Sequence, residues 1–260
     1  YSSSGEVSDC SFIASIDSAG APIQFNNSTI DFIGNQIHLA GSGGYQNAIW
    51  ASEGSYTFQR NVIVHPNPHS VINISSATDT EFSNNILFGW QAGPEYSDGV
   101  GLSCYGPSII RNNIFLSTNT PLHLYETTGT TIQYNSFYDY NELTGGEPPP
   151  PGFGWIIDLT DSTDAYLNVF KNPQFMNPDI FDFHLSESSP CINAGDPNSE
   201  LDPDGTVADI GVYPTIQGPH PVLSLSSSVL NFGNVEVNQV DTISMSVLNS
   251  GNLDLDLTVS

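Results

Sequence analysis

The chain has 260 residues, of which 28 are acidic and 3 basic, for a formal charge of -25. Three basic side chains cannot line a phosphate backbone or an anionic bilayer surface, which excludes nucleic acid and anionic lipid as partners. Hydrophobic residues make up 38%, enough for one large all-β domain or two domains, yet no apolar run of about 18 residues offers a membrane span.

The elements repeat from the start. VSDCSF (7–12) is followed by FIGNQI (32–37), FQRNVI (58–63), FSNNIL (82–87), IRNNIF (110–115), IQYNSF (132–137) and a degenerate AYLNVF (165–170). The fourth position is asparagine in all but the first, where Cys10 stands. From residue 10 through 35, 61, 85, 113, 135 and 168 the intervals are 25, 26, 24, 28, 22 and 33 residues. Each copy has a second apolar strand upstream: PIQFN (22–26), AIWAS (48–52), VINIS (71–75), VGLSC (100–104), LHLYE (122–126) and WIIDLT (155–160). One repeat therefore reads strand, turn, strand, asparagine, strand, loop.

A period of roughly 20–50 residues built from short strands predicts a solenoid. In a parallel solenoid, coils stack about 4.8 Å apart, and equivalent side chains pile on one another. Asn35, Asn61, Asn85, Asn113 and Asn135 are then expected at the bend between two strands, where asparagine tolerates unusual backbone angles. Their amides are expected to form a hydrogen-bonded ladder from coil to coil. Phe12, Ile37, Ile63, Leu87, Phe115 and Phe137 are expected to stack inside. In the same frame Arg60 and Arg111, one and two residues before their asparagines, are expected to point to different faces.

Residues 172–214 run NPQFMNPDIFDFHLSESSPCINAGDPNSELDPDGTVADIGVYP. Together with the repeats, this stretch resembles the right-handed parallel β-helix proteins of the pectate-lyase-like superfold, whose secreted bacterial members close on such a phrase. The carriers are Pro173 to Phe175, Asp182 to Leu185, Ser189 to Asp196, Asp202 to Gly205 and Asp209 to Gly211. The resemblance implies an all-β right-handed helix of about seven coils over residues 1–215, with a closing cap motif at 172–214. After a linker at 216–221 the pattern alternates with period two, broken by Gly and Asn turns. LNFGNVEV and VLNSGNLDLDLTV in residues 222–260 resemble the opening strands of the choice-of-anchor type of immunoglobulin-like domain. Strands are still being laid down at LDLDLTVS, and Tyr1 opens in mid-domain. The sequence thus reads as a fragment of a longer protein, which the resemblance places outside the cell or on its surface.

The resemblance also implies lyases that hold acidic sugars with calcium and arginine, and hydrolases with paired aspartates. The Asp-Asp and Gly-His-Gly signatures of the hydrolases are missing, and a charge of -25 repels a polyuronate. The favoured function is a non-catalytic module for adhesion, carbohydrate contact or a structural role in a surface appendage. The alternative is a polysaccharide-degrading lyase or glycoside hydrolase; Asp158, Asp161 and Asp164, or Glu95 with Asp98, are its nearest acidic clusters. Trp90, Tyr96, Phe153 and Trp155 lie in or beside long loops and are candidates for gripping neutral sugar rings; Trp50, Tyr105 and Tyr125 are further aromatics, of which Trp50 and Tyr125 read equally well as core. Asp202, Asp204 and Asp209 crowd a glycine turn and form a candidate calcium site, calcium favouring hard oxygen ligands. A hydrogen-bonded turn is the competing reading. His65 and His69 flank PNP and could share a metal. Cys10, Cys104 and Cys191 show no metal spacing; a bridge between Cys10 and Cys104 is open, but buried thiols fit better. The expected partners are glycans or neighbouring surface-protein subunits, with self-association through an open first coil.

Overall fold

The computed structural model describes residues 3–15, 21–40, 47–66, 70–90, 100–118, 120–125, 129–139, 167–218, 223–225, 242, 244 and 246–249. The chain divides into two compact units, Tyr1–Thr215 and Ile216–Ser260. The first unit is a parallel β-solenoid of about four turns.

Its early strands are β1 (Ser3–Ser8), β2 (Ser11–Ser15), β3 (Ile23–Ile33), β4 (Gln36–Ala40), β5 (Ile49–Gln59), β6 (Val62–Pro66), β7 (Ser70–Ser75) and β8 (Asp79–Ser83). Then come β9 (Ile86–Trp90), β10 (Val100–Tyr105), β11 (Ser108–Arg111), β12 (Ile114–Leu116), β13 (Thr120–Tyr125), β14 (Thr131–Gln133) and β15 (Ser136–Tyr138). The strands that follow each ladder position, β2, β4, β6, β9, β12 and β15, stack as one parallel sheet. The others form a branched parallel sheet. There β3 and β5 are long enough to span two faces. The first half of β5 pairs with β7 and its second half with β8; β10 and β13 extend the first face, β11 and β14 the second.

The bend before each third strand is made by one left-handed residue. Asp9, Gly34, Arg60, Asn84, Asn112, Tyr134 and Leu167 all have φ between 50° and 69°. Most are not glycine, and left-handed backbone is uncommon for such residues. This corrects the expectation drawn for asparagine: the unusual angles belong to the residue before each ladder position, and the ladder residues themselves keep negative φ.

The ladder residue supplies the bonds that hold the bend. Asn61 N and Nδ2 both donate to Asn85 Oδ1, at 2.9 and 2.9 Å. Asn85 repeats this to Asn113 at 2.8 and 3.0 Å, Asn113 to Asn135 at 3.0 and 2.9 Å, and Asn35 to Asn61 at 2.9 and 3.1 Å. Each Nδ2 also donates backwards to a carbonyl of the preceding coil: Asn61 to Phe32, Asn85 to Phe58, Asn113 to Phe82. Asn168 accepts from Asn135. At the other end Cys10 donates only its backbone N–H to Asn35 Oδ1. All five amides from Asn35 to Asn135 are fully buried, where an unpaired polar group is costly.

Inside the wall, Phe12, Ile37, Ile63, Leu87, Phe115 and Phe137 stand in register. Phe32, Phe58 and Phe82 form a second column, and ring contacts of 5.2–6.3 Å run unbroken from Phe12 to Phe170. Each fully buried side chain of this size contributes roughly 1.5–3 kcal/mol.

Residues 172–214 lie along the outer side of the sheet containing β6, β9 and β12. A short hairpin, β16 (Phe175–Asn177) with β17 (Asp182–Leu185), places Phe183 and Leu185 there. With Cys191 and Ile210 they pack on Val62, Val64, Ile86, Ile114 and Leu116 in a second apolar cluster. That sheet is therefore buried on both faces, which is why VIV, ILF and IFL are apolar without alternation.

All three cysteines are free, so no bridge joins Cys10 and Cys104. Cys104 and Cys191 are buried, but Cys10 is exposed, a correction to its reading as a buried thiol. Burial pushes the Cys104 thiol up, and that of Cys191 up to about 11. In the second unit β18 (Leu223–Leu225) and β19 (Val247–Asn249) pair antiparallel.

Candidate functional site

Two surfaces of the first unit gather polar and aromatic side chains. The first is the outer face of the sheet built from the first halves of β3 and β5 with β7, β10 and β13. Strand alternation sends Ile49, Ile72, Leu102 and Leu122 into the core and the residue after each of them outward. One outward file is Gln24, Trp50, Asn73, Ser103 and His123, each in register with the next. Beside it, Tyr105 stands in register with Tyr125. Their rings stack at 5.7 Å with planes 28° apart. The His123 and Tyr125 rings lie 4.5 Å apart, and Tyr125 Oη and His123 Nδ1 share a hydrogen bond of 3.3 Å. Trp50 and Tyr125 are half-buried and outside both core clusters, which decides their place as surface. Aromatic faces beside amides and hydroxyls suit a ligand with an apolar face and polar edges. Sequence reading missed His123 and Asn73; the signal is the outward phase of LHLYE and VINIS.

Of the loop aromatics, Trp90 closes β9, but its side chain lies outside the described residues, as do Tyr96, Phe153 and Trp155. The acidic clusters at Asp158, Asp161 and Asp164 and at Glu95 and Asp98 also fall outside them, as does His69. His65 is 1% exposed.

The second surface is a polar cleft of about 470 Å³ between the coil corners and residues 198–214. The structure brings Arg60 and Arg111 together here, against their expected separation. The left-handed bend at Arg60 turns it toward the same cleft that Arg111 reaches from the end of β11. Arg60 bonds Glu200 at 3.1 Å. Arg111 bridges Glu81 at 2.8 Å and Asp196 at 3.2 Å. Burial works upward on the Asp196 carboxyl, but hydrogen bonds from Asn198 and Arg111 outweigh it and hold it below the ordinary range. Asn112 ties the two walls: its Oδ1 accepts from Asp196 N, its Nδ2 donates to Ser199 Oγ, and its carbonyl accepts from Gly211 N.

Asp202, Asp204 and Asp209 serve the turn beside this cleft. Asp209 accepts from Asn193 N at 2.7 Å and Thr215 N at 2.6 Å. Asp204 Oδ1 accepts from Thr206 N and Oγ1, and Asp202 Oδ2 accepts from Asp209 N at 3.0 Å. Burial, then the Asp209 charge, pushes the Asp202 carboxyl up to about 6. Among the described residues no three His, Cys, Asp or Glu side chains are grouped to hold a metal ion. Each of the three carboxylates thus accepts from at least one backbone amide, as the hydrogen-bonded turn reading expects.

Comparison with known protein families and with curated proteins finds no match.

Proposed function

We propose that the chain is an extracellular or cell-surface, non-catalytic module that contacts carbohydrate through the outer face carrying Trp50, Asn73, Tyr105, His123 and Tyr125. In this reading the solenoid is a right-handed β-helix of about seven coils in the pectate-lyase-like manner. Right-handed crossovers are the rule between parallel strands. Residues 222–260 open an immunoglobulin-like sandwich that acts as a spacer. The observation that carries the reading is the in-register file of rings and amides on a parallel sheet. A charge of -25 with Asn, Ser and Thr at the surface favours neutral glycans over uronates. Calcium is not part of this reading.

A polysaccharide-degrading enzyme is the second reading. It is favoured by one arrangement: Asp202, whose carboxyl burial and the Asp209 charge push up to about 6, lines one cleft with Arg60 and Arg111, and acid–base groups work in that range. A glycan array with the intact chain separates the two. Binding without turnover, weakened by Trp50→Ala and Tyr125→Ala, supports the module. Turnover that is lost in Asp202→Asn or Asp158→Ala overturns it.

A further inference from the structure

On the outer face of the first sheet, Tyr125 Oη and His123 Nδ1 share a hydrogen bond of 3.3 Å. Stacking on Tyr105 holds the Tyr125 ring in place, and both members of the pair are half-buried, so solvent reaches them. Burial pushes the Tyr125 phenol up. Its hydroxyl therefore keeps its proton over the range, about pH 5 to 8, in which histidine changes charge. A neutral imidazole has one donor nitrogen and one acceptor. Of the two partners the phenol is the stronger acid and the imidazole nitrogen the stronger base. In the neutral pair Tyr125 O–H thus donates to Nδ1, and Oη keeps its lone pairs for a donor on a ligand. An imidazolium has two donors and no acceptor. Once Nδ1 takes up a proton it donates to Oη, and the phenol O–H is free to turn toward a ligand.

We infer that His123 and Tyr125 form a proton-operated switch of hydrogen-bond polarity: the neutral pair accepts from a ligand, and the protonated pair donates to it. The inference rests on the reading of this face as a glycan platform, and its consequence is selectivity. A sugar hydroxyl both donates and accepts, so it answers either state. A methyl ether only accepts, so the neutral pair refuses it and the protonated pair admits it. By strand alternation the residues sharing this side are Gly101, Ser103 and Tyr105 of β10 and Pro121 of β13. None of them is charged, and Tyr105 is the one titratable group among them. Glu126, the nearest carboxylate along the chain, lies outside the described residues.

The test uses the intact chain and two readouts. Nitrogen NMR of the imidazoles, with His123 assigned through His123→Gln, should show its proton on Nε2 at pH 8. That preference should weaken in Tyr125→Phe. A proton on Nδ1 at pH 8 overturns the inference. Affinities are then measured at pH 8 and pH 5 for gluco-, xylo- and manno-tetraose and for their O-methyl ethers. The preference for the free tetraose over its ether should narrow about fivefold on acidification, the worth of one hydrogen bond. Both ligands are neutral, so titration of the chain's carboxylates cancels in the ratio. His123→Gln and Tyr125→Phe should each hold the ratio fixed, whereas Glu126→Gln should leave the narrowing in place. A ratio that ignores pH in the unsubstituted chain, or that narrows as much in His123→Gln, overturns the switch. The Nε2 tautomer with no tetraose bound at either pH supports the polarity of the pair and overturns the glycan reading instead.

Discussion

From Asn35 to Asn168 each coil is joined to the next by the same pair of amide hydrogen bonds, whereas residues 172–214 meet each coil through a different contact. Tyr213 meets Gln36, Glu200 meets Arg60, Gly211 meets Asn84, and Asp196 meets Arg111. The first region is periodic and buried. The second is irregular, and its polar contacts range from exposed, as at Tyr213 and Glu200, to buried, as between Asp196 N and Asn112 Oδ1. The wall is held by bonds that cannot be replaced by water; the closing segment is held by apolar packing with polar contacts that fix its position.

The largest effect is expected in the wall. Asn85→Ala removes an acceptor for Asn61 N and a donor to Phe58 O, both buried. Two unpaired groups at roughly 1–3 kcal/mol each give a loss of about 4 kcal/mol, read from urea unfolding. A loss under about 1 kcal/mol would mean that the ladder is ornamental to stability. Phe183→Ala comes next. It empties a buried site against Phe88 and Phe175 and costs about 3 kcal/mol. The comparison is sharpened by amide exchange: residues 172–214 should lose protection while β6, β9 and β12 keep their ladder bonds. Equal loss in both regions breaks the distinction and makes them one cooperative unit.

The third effect depends on pH. The folded Asp202 value of about 6 lies above the ordinary 3.8, so folding favours the protonated form. Its contribution is full below about pH 4 and is lost as pH rises through 6. The facing charges are Asp204, Asp209 and Glu200, with Arg60 and Arg111 opposite. The melting temperature should therefore rise between pH 7.5 and 5. It should fall again below about pH 4, where Asp196, held below its ordinary range, is protonated. Asp202→Asn should flatten the first limb; a limb unchanged in that variant removes Asp202 from the account.

The periodic region could be read from sequence because it repeats. An asparagine three places after an apolar residue and two before another, returning at 22 to 28 residues between Asn35 and Asn135, specifies both a bend and its partner in the next coil. The closing segment repeats nothing. That Phe183 packs on the side of the coils, or that Arg60 and Arg111 share a cleft, depends on contacts between residues far apart in the chain, as Arg111 with Asp196 at 85 residues and Arg60 with Glu200 at 140, that no local spacing encodes. The frame placed the arginines one residue out of phase and so on different faces; the left-handed bend at Arg60 cancels that difference. His123 and Asn73 were hidden for another reason: in a short strand a single polar residue among apolar ones looks like noise until its register is known.

The smallest expected effect is Arg60→Ala. The Arg60 side chain is 51% exposed and Glu200 82%, so solvent screens the pair and its loss should cost below about 1 kcal/mol. Arg111, 33% exposed and bonded to two carboxylates, of which Asp196 is 12% exposed, is less screened, and Arg111→Ala should cost more. Raising the salt concentration should erase the Arg60 difference and leave most of the Arg111 difference. Should both variants lose stability equally, and equally at high salt, the closing segment would be held by charge rather than by its apolar underside. The contrast with the amide-bonded wall would then be one of pattern alone, since polar bonds would dominate both regions.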